Sequence, residues 1–164
     1  MKNFLLYFTV ILLYSCASKQ PLNTAAVEQS IDAWHKAAAQ ANYEKYFDLM
    51  TDHAVFIGTD ATENWQLEEF KTFSKPYFDK GKAWSFTSLE RNVYSANGWV
   101  YFDELLDTQM GICRGSGVMR MQDGKWKIAH YVLSIAVPND NVSSLTAMKK
   151  EWDANYIETL KDQK

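Results

Sequence analysis

His130, Asp103 and Asp60 are the side chains of this chain best suited by type to proton transfer, one imidazole and two carboxylates. His130 lies in KWKIAHYVLSIAV, which with CRGSGVMRMQ flanks Asp123-Gly124, a dipeptide that favours a two-residue hairpin. Reading outward from that turn pairs Met121 with Trp126, Met119 with Ile128, Gly117 with His130 and Cys113 with Ser134. On this register Trp126, Ile128, His130, Val132 and Ser134 share one sheet face. His130 then looks across at Gly115 and Gly117, whose missing side chains leave room for a ligand. The plainer expectation is a buried neutral imidazole bonded to a tyrosine or the backbone, with the glycines serving sheet curvature. Asp103 sits mid-strand with Tyr101 and Leu105. If that face is concave, it is the carboxylate nearest His130 and pairs with it as general acid and base.

The same stretch makes further expectations. Asn97-Gly98 forms a second tight hairpin whose register sets Arg91 opposite Glu104, an ion pair inside the sheet. Arg114 projects with Tyr131 and Leu133 away from His130 unless a bulge at Gly115 reverses it. Cys113, in an apolar strand, reads as a small core residue. No HExxH, CxxC, phosphate loop or nucleophile elbow is present, and His35, His53 and His130 have no ligand spacing, so neither metal nor cofactor is expected. The net charge of -3 disfavours nucleic acid as a partner.

These residues must be held by a small mixed domain. Val27, Ile31, Trp34, Ala38 and Ala41 recur at helical spacing from Thr24, an N-cap candidate, and Asn42 caps a second helix over 43–50. Residues 54–57 read as a short strand ended by Gly58. Leu67, Phe70, Phe73 and Tyr77 mark a third helix over 66–79, kinked or ended by Pro76. Strands follow over 83–94 and 99–107, and the two hairpins make a four-stranded antiparallel unit. The last strand is apolar on both faces, so something covers the second one. A second copy paired through the sheet is the simplest cover. The alternative is the segment after Pro138, where Leu145, Met148, Trp152, Tyr156 and Leu160 mark an amphipathic helix. Glu63 and Trp65 either gate a cavity rim or simply begin the third helix.

The N-terminus gives an address. The apolar run Phe4 to Tyr14 is eleven residues, shorter than the ~20 needed to span a bilayer as a helix, and reads as a secretion signal. It ends Leu13-Tyr14-Ser15-Cys16, which resembles the bacterial lipobox. That resemblance implies a lipid-anchored protein of the bacterial cell envelope, facing the periplasm, with Cys16 lipidated. Without lipidation the reading is an ordinary secreted protein. Residues 1–16 are then the signal, 17–24 a tether, 25–139 the domain and 140–164 a C-terminal helix.

Two helices, a short strand, a third helix and a bent sheet ending in DGKWKIAHYVLS resemble the nuclear transport factor 2-like superfamily, and within it the SnoaL-like proteins. The motifs are FIGTDATENW, FDELLD, RGSGV and the run from Trp126 to Ser134. The resemblance implies an α+β cone, a curved antiparallel sheet wrapped on N-terminal helices, open at one end to a small molecule. Its isomerase branch carries a carboxylate base at the end of the first strand and a hydroxyl donor on the first helix. These positions fall here on Gly58 and Trp34, or on Asp60 with a two-residue gap. Three readings stay open. One is a binding module for a small apolar or aromatic molecule, with Trp34, Phe56, Glu63, Trp65, Tyr77, Trp84, Met119, Trp126, His130 and Ser134 as contacts. Another is a cofactor-independent lyase, isomerase or cyclase using His130 with Asp103 or Asp60. The last is a structural or interaction domain.

Overall fold

A computed structural model describes residues 23–163. The signal segment, Cys16 and most of the tether lie outside the described residues. Helix α1 (Thr24–Ala39) starts one residue earlier than Thr24 as cap would require: Asn23 is the N-cap, its side chain accepting from the Ala26 N–H at 3.2 Å. Its apolar stripe, Val27, Ile31, Trp34 and Ala38, is wholly buried against the sheet. Burial of Val27 and Ile31 stabilises the fold by about 1.5–3 kcal/mol each. Asn42 caps α2 (Tyr43–Asp48) as expected, but the helix stops short of Met50, which instead opens strand β1 (Met50–Ile57).

A tight turn leads into β2 (Asn64–Gln66) and then α3 (Leu67–Asp79). The Glu69 carboxylate accepts from the Gln66 N–H at 3.0 Å and fixes the start of that helix. Pro76 lies within α3 without ending it. Four long strands follow: β3 (Phe86–Ala96), β4 (Trp99–Thr108), β5 (Gly111–Gln122) and β6 (Lys125–Ile135). Asn97 and Gly98, and Asp123 and Gly124, all have positive φ, as two-residue hairpin turns of this type demand.

The sheet has six strands in the order β2-β1-β6-β5-β4-β3, with β1 parallel to β6, rather than the four antiparallel strands read from the hairpins alone. It curves around α1. A short 3-10 turn (Asn139–Asn141) precedes α4 (Val142–Lys161), a helix that buries none of its residues.

One irregularity decides which residues face the interior. Met121 pairs with Trp126 and Met119 with Ile128 as expected, but Val118 pairs with His130. Ala129 is thus an extra residue in β6, a bulge that shifts the alternation by one. Beyond it Tyr131 and Leu133 point into the core, and His130, Val132 and Ser134 point out. The expected pairs Gly117 with His130 and Cys113 with Ser134 are replaced by Gly117 with Tyr131 and Cys113 with Ile135. Cys113 is fully buried and forms no disulfide among the described residues, a small core residue as its setting predicted.

Candidate functional site

Where α3, β2 and the start of β3 meet the open end of the curved sheet lies a half-open cavity of about 360 Å³, large enough for a small organic molecule. Its walls are aromatic. Phe56 from β1, Trp65 from β2, Phe70, Phe73 and Tyr77 from α3, Trp84 from the segment before β3, and Phe86 from β3 line it. The rings support one another: Phe56 stacks on Phe70 at 4.2 Å between centroids and Trp65 on Phe73 at 4.2 Å. Ala83, Leu133 and the β4–β5 turn residues Gln109 and Met110 close the remainder. Phe73, Tyr77 and Met110 stay substantially exposed at its edge.

The polar part of this wall is the β1–β2 turn, Gly58 with Thr59 and Glu63. The turn is held by its own backbone, with the Gly58 N–H donating to the Glu63 carbonyl and the Glu63 N–H to the Asp60 carbonyl, both at 3.0 Å. Asp60 Oδ1 accepts from the Thr62 N–H and hydroxyl, which hold its carboxyl below the usual aspartate range. Glu63 Oε2 accepts from the Asp60 N–H at 3.2 Å and lies only 2.1 Å from where a Cβ on Gly58 would stand. An aspartate at position 58 would drive its Cβ into that oxygen. Glycine at 58 therefore lets the Glu63 carboxylate occupy the space that a side chain at the end of β1 would fill.

Deeper in the fold a second carboxylate, Glu104 on β4, is 1% exposed. Its Oε1 accepts from His35 Nε2 at 2.7 Å and from the Tyr131 hydroxyl at 2.9 Å, and its Oε2 from Arg91 Nε at 3.0 Å. Arg91 in turn donates from Nη1 to Asp32 of α1 at 2.7 Å. Burial pushes the Glu104 carboxyl up, but His35, Arg91 and Tyr131 together outweigh it and hold the group below the usual glutamate range. An ionised carboxylate only accepts, so His35 Nε2 carries the proton in that bond. Burial, and then the Glu104 charge, push the Tyr131 phenol well above the ordinary tyrosine range. Gly115 admits this arrangement, since a Cβ there would stand 2.1 Å from the Tyr131 hydroxyl. The Arg91–Glu104 register is the one expected, whereas the part played by His35, distant in sequence, carried no local signal.

The expected contacts divide three ways. Phe56, Glu63, Trp65, Tyr77 and Trp84 do line the cavity. Trp34 and Met119 pack in the core instead, Trp34 with no exposed surface and stacked on Tyr46, and the half-buried Trp126 packs against that core. His130 and Ser134 are corrected to the outer face of the sheet by the Ala129 bulge, and Arg114, opposite Ser134, shares that face with them rather than opposing it. Asp103 also points outward, where its carboxylate accepts from Asn92 Nδ2 at 3.2 Å. Its strand-to-strand row runs through Ser116 to Val132, while that of His130 runs through Val118 to Tyr101, so the two groups stand on non-adjacent strands and in different rows. Asp60 is exposed on the turn, beside a shallow outer groove that Ser134, Lys149 and Trp152 also line. The geometry therefore does not bring His130 together with either carboxylate inside the cavity. Phe70, Phe73, Phe86, Leu133, Gln109 and Met110 were not singled out as contacts. Phe70 and Phe73 had shown only the helical spacing of a core face, and Leu133 was hidden by the bulge.

Residues 27–138 match the SnoaL-like domain model. No curated protein matches the chain. Solved structures of similar shape include a nuclear transport factor 2-like protein of unknown function from Pseudomonas putida KT2440, at TM-score 0.60 and 16% identity, covering 74% of this chain and 94% of that one. Another is a nuclear transport factor 2-like protein from Cytophaga hutchinsonii, at 0.60 and 15%, covering 71% and 100%. A third, from Streptomyces avermitilis, is proposed to be a dehydratase of the same superfamily, at 0.61 and 10%, covering 70% and 96%. At these identities the likeness concerns the fold, a mixed α+β architecture with an unclosed curved sheet. With its family match spanning most of its length and that fold beneath it, the chain belongs to the SnoaL-like domain family.

Proposed function

We propose that this domain binds a small, largely apolar organic molecule in the cavity between α3 and the sheet, as a lipid-anchored protein of the bacterial cell envelope. The observation that carries the binding reading is the seven-ring lining of a pocket that the core leaves unfilled. Trp65 and Trp84 lie in that lining, so occupancy alters their fluorescence. Titration with a neutral, non-fluorescent aromatic such as nitrobenzene is expected to give saturable quenching that Ala83→Trp, which fills the pocket, removes. Unsaturable quenching that is the same in both proteins would count against the reading. A reaction in this pocket would draw its proton acceptor from Glu63 on the β1–β2 turn, since His130 and Asp103 face outward and Asp60 lines the outer groove.

The envelope address rests on the sequence around Cys16. Cys16→Ser should release the protein from membranes, and continued retention would overturn the anchor. Pairing of two copies through the sheet is supported by the outer face, where Trp99 and Tyr101 stay 49% and 45% exposed beside Tyr94 and Ile112. Tyr101→Lys is expected to convert a dimer to a monomer by native mass spectrometry. A monomer in the unmodified protein would remove this part of the proposal.

A further inference from the structure

The cavity wall has an unusual charge balance. No lysine, arginine or histidine lines it, and its charged side chain is Glu63. That carboxylate is seated by the turn: Oε2 takes the Asp60 N–H, and the absent side chain of Gly58 leaves it the space. Only the one bond to Asp60 engages it, and Glu63 enters no ion pair among the described residues. Lys149, which lines the outer groove behind the turn, is paired with Asp153 at 3.3 Å instead. The carboxylate also shares the half-open pocket with aromatic faces from Trp65, Phe73, Tyr77 and Trp84, whose negative ring faces attract cations. Asp60, on the same turn, lines the outer groove behind it and not this wall. An anionic ligand would lose its hydration here and meet the Glu63 carboxylate with no side chain of opposite charge. A cation meets both a fixed counter-charge and ring faces.

Building on the binding reading above, we infer that the molecule taken by this pocket is an organic cation, an amine or quaternary ammonium joined to a compact apolar or aromatic body, with Glu63 as its counter-charge. The apolar body lies among the rings and the charged nitrogen toward the β1–β2 turn. Glu63 sets the preference for charge, while the rings set the affinity for shape.

Phenyltrimethylammonium and tert-butylbenzene have the same shape and differ in charge, which makes them suitable probes. Ligand-observed NMR titration of the full chain is expected to show the cation binding about tenfold more tightly, roughly 1.4 kcal/mol. In Glu63→Gln the preference should fall to about twofold with the affinity for tert-butylbenzene unchanged, which also shows that the variant keeps its fold. Equal affinities in the unmodified protein, or an undiminished tenfold preference in Glu63→Gln, would overturn the cation inference and leave the pocket reading standing. Failure of both probes to bind, the cation at millimolar concentration and tert-butylbenzene up to its solubility limit in water, would overturn the two together.

Discussion

Two glutamates, Glu104 in the depth of the fold and Glu63 at the mouth of its cavity, show how one domain uses the same functional group in opposite ways. Glu104 accepts from His35, Tyr131 and Arg91 and has no exposed surface to offer a ligand. Two elements far apart in the chain, α1 through Asp32 and His35 and the sheet through Arg91, Glu104 and Tyr131, are tied by that one carboxylate. Glu63 accepts one backbone N–H on a turn and keeps the rest of its capacity free beside an aromatic cavity. A carboxylate whose lone pairs are all taken inside the protein is structural, and one left with spare capacity beside a hollow is available for recognition.

Removing charge from each separates them most sharply. Glu104→Gln leaves the Arg91 guanidinium, itself largely buried, with only the more exposed Asp32 as partner. Losing one member of a buried charged network costs about 3–5 kcal/mol, read as a lower midpoint in urea. Glu63→Gln, at a half-exposed turn, should stay within about 0.5 kcal/mol. Comparable losses in the two variants would erase the distinction.

Acid titration gives the next largest difference. The Glu104 carboxyl is held below its ordinary value of 4.5, so its contribution to stability is complete above that pH and is lost as the pH falls from there toward the lower folded value. The unmodified protein should therefore lose stability below about pH 4.5, measured by urea unfolding at stepped pH, and Glu104→Gln should show a shallower acid limb. An equally steep limb in the variant would assign acid sensitivity to other groups.

What could be read from the chain beforehand follows the reach of each interaction. The Asn97-Gly98 and Asp123-Gly124 turns impose their own backbone, so hairpin positions and the Arg91–Glu104 pair were legible. The Ala129 bulge was not, because Tyr131 and Leu133 are as acceptable in a core as His130 and Val132 are on a half-apolar surface, and a slip of one residue leaves the pattern nearly as good. That single insertion moved His130, Ser134 and the side of Arg114 together. Glu63 and Trp65 could be read only as rim candidates or as the start of the third helix, because a turn between strand and helix lies at an edge on either reading. Phe86 and Met110 come to the cavity only through sheet curvature, which no short window of sequence encodes.

Gly115 and Gly58 sharpen the contrast further, since a Cβ on either would meet an oxygen at 2.1 Å. At Gly115 that oxygen is the Tyr131 hydroxyl on a ring fixed in the core, with Glu104 Cγ at 3.1 Å behind it. Gly115→Ala must therefore displace packed atoms and should cost about 1–3 kcal/mol, measurable as a lower thermal midpoint.

At Gly58 the obstructing oxygen is the tip of the Glu63 side chain, which can swing outward, and the backbone there lies outside the positive-φ region that Gly98 and Gly124 occupy. Gly58→Ala should accordingly change stability by no more than about 0.5–1 kcal/mol in either direction. Its effect falls on recognition: with the carboxylate pushed off its seat, the preference for phenyltrimethylammonium over tert-butylbenzene should shrink as it does in Glu63→Gln, although the glutamate itself is untouched. A preference that persists in Gly58→Ala would mean that the charge of Glu63 matters but its seat does not, and the glycine at the end of β1 would then be explained by the turn alone.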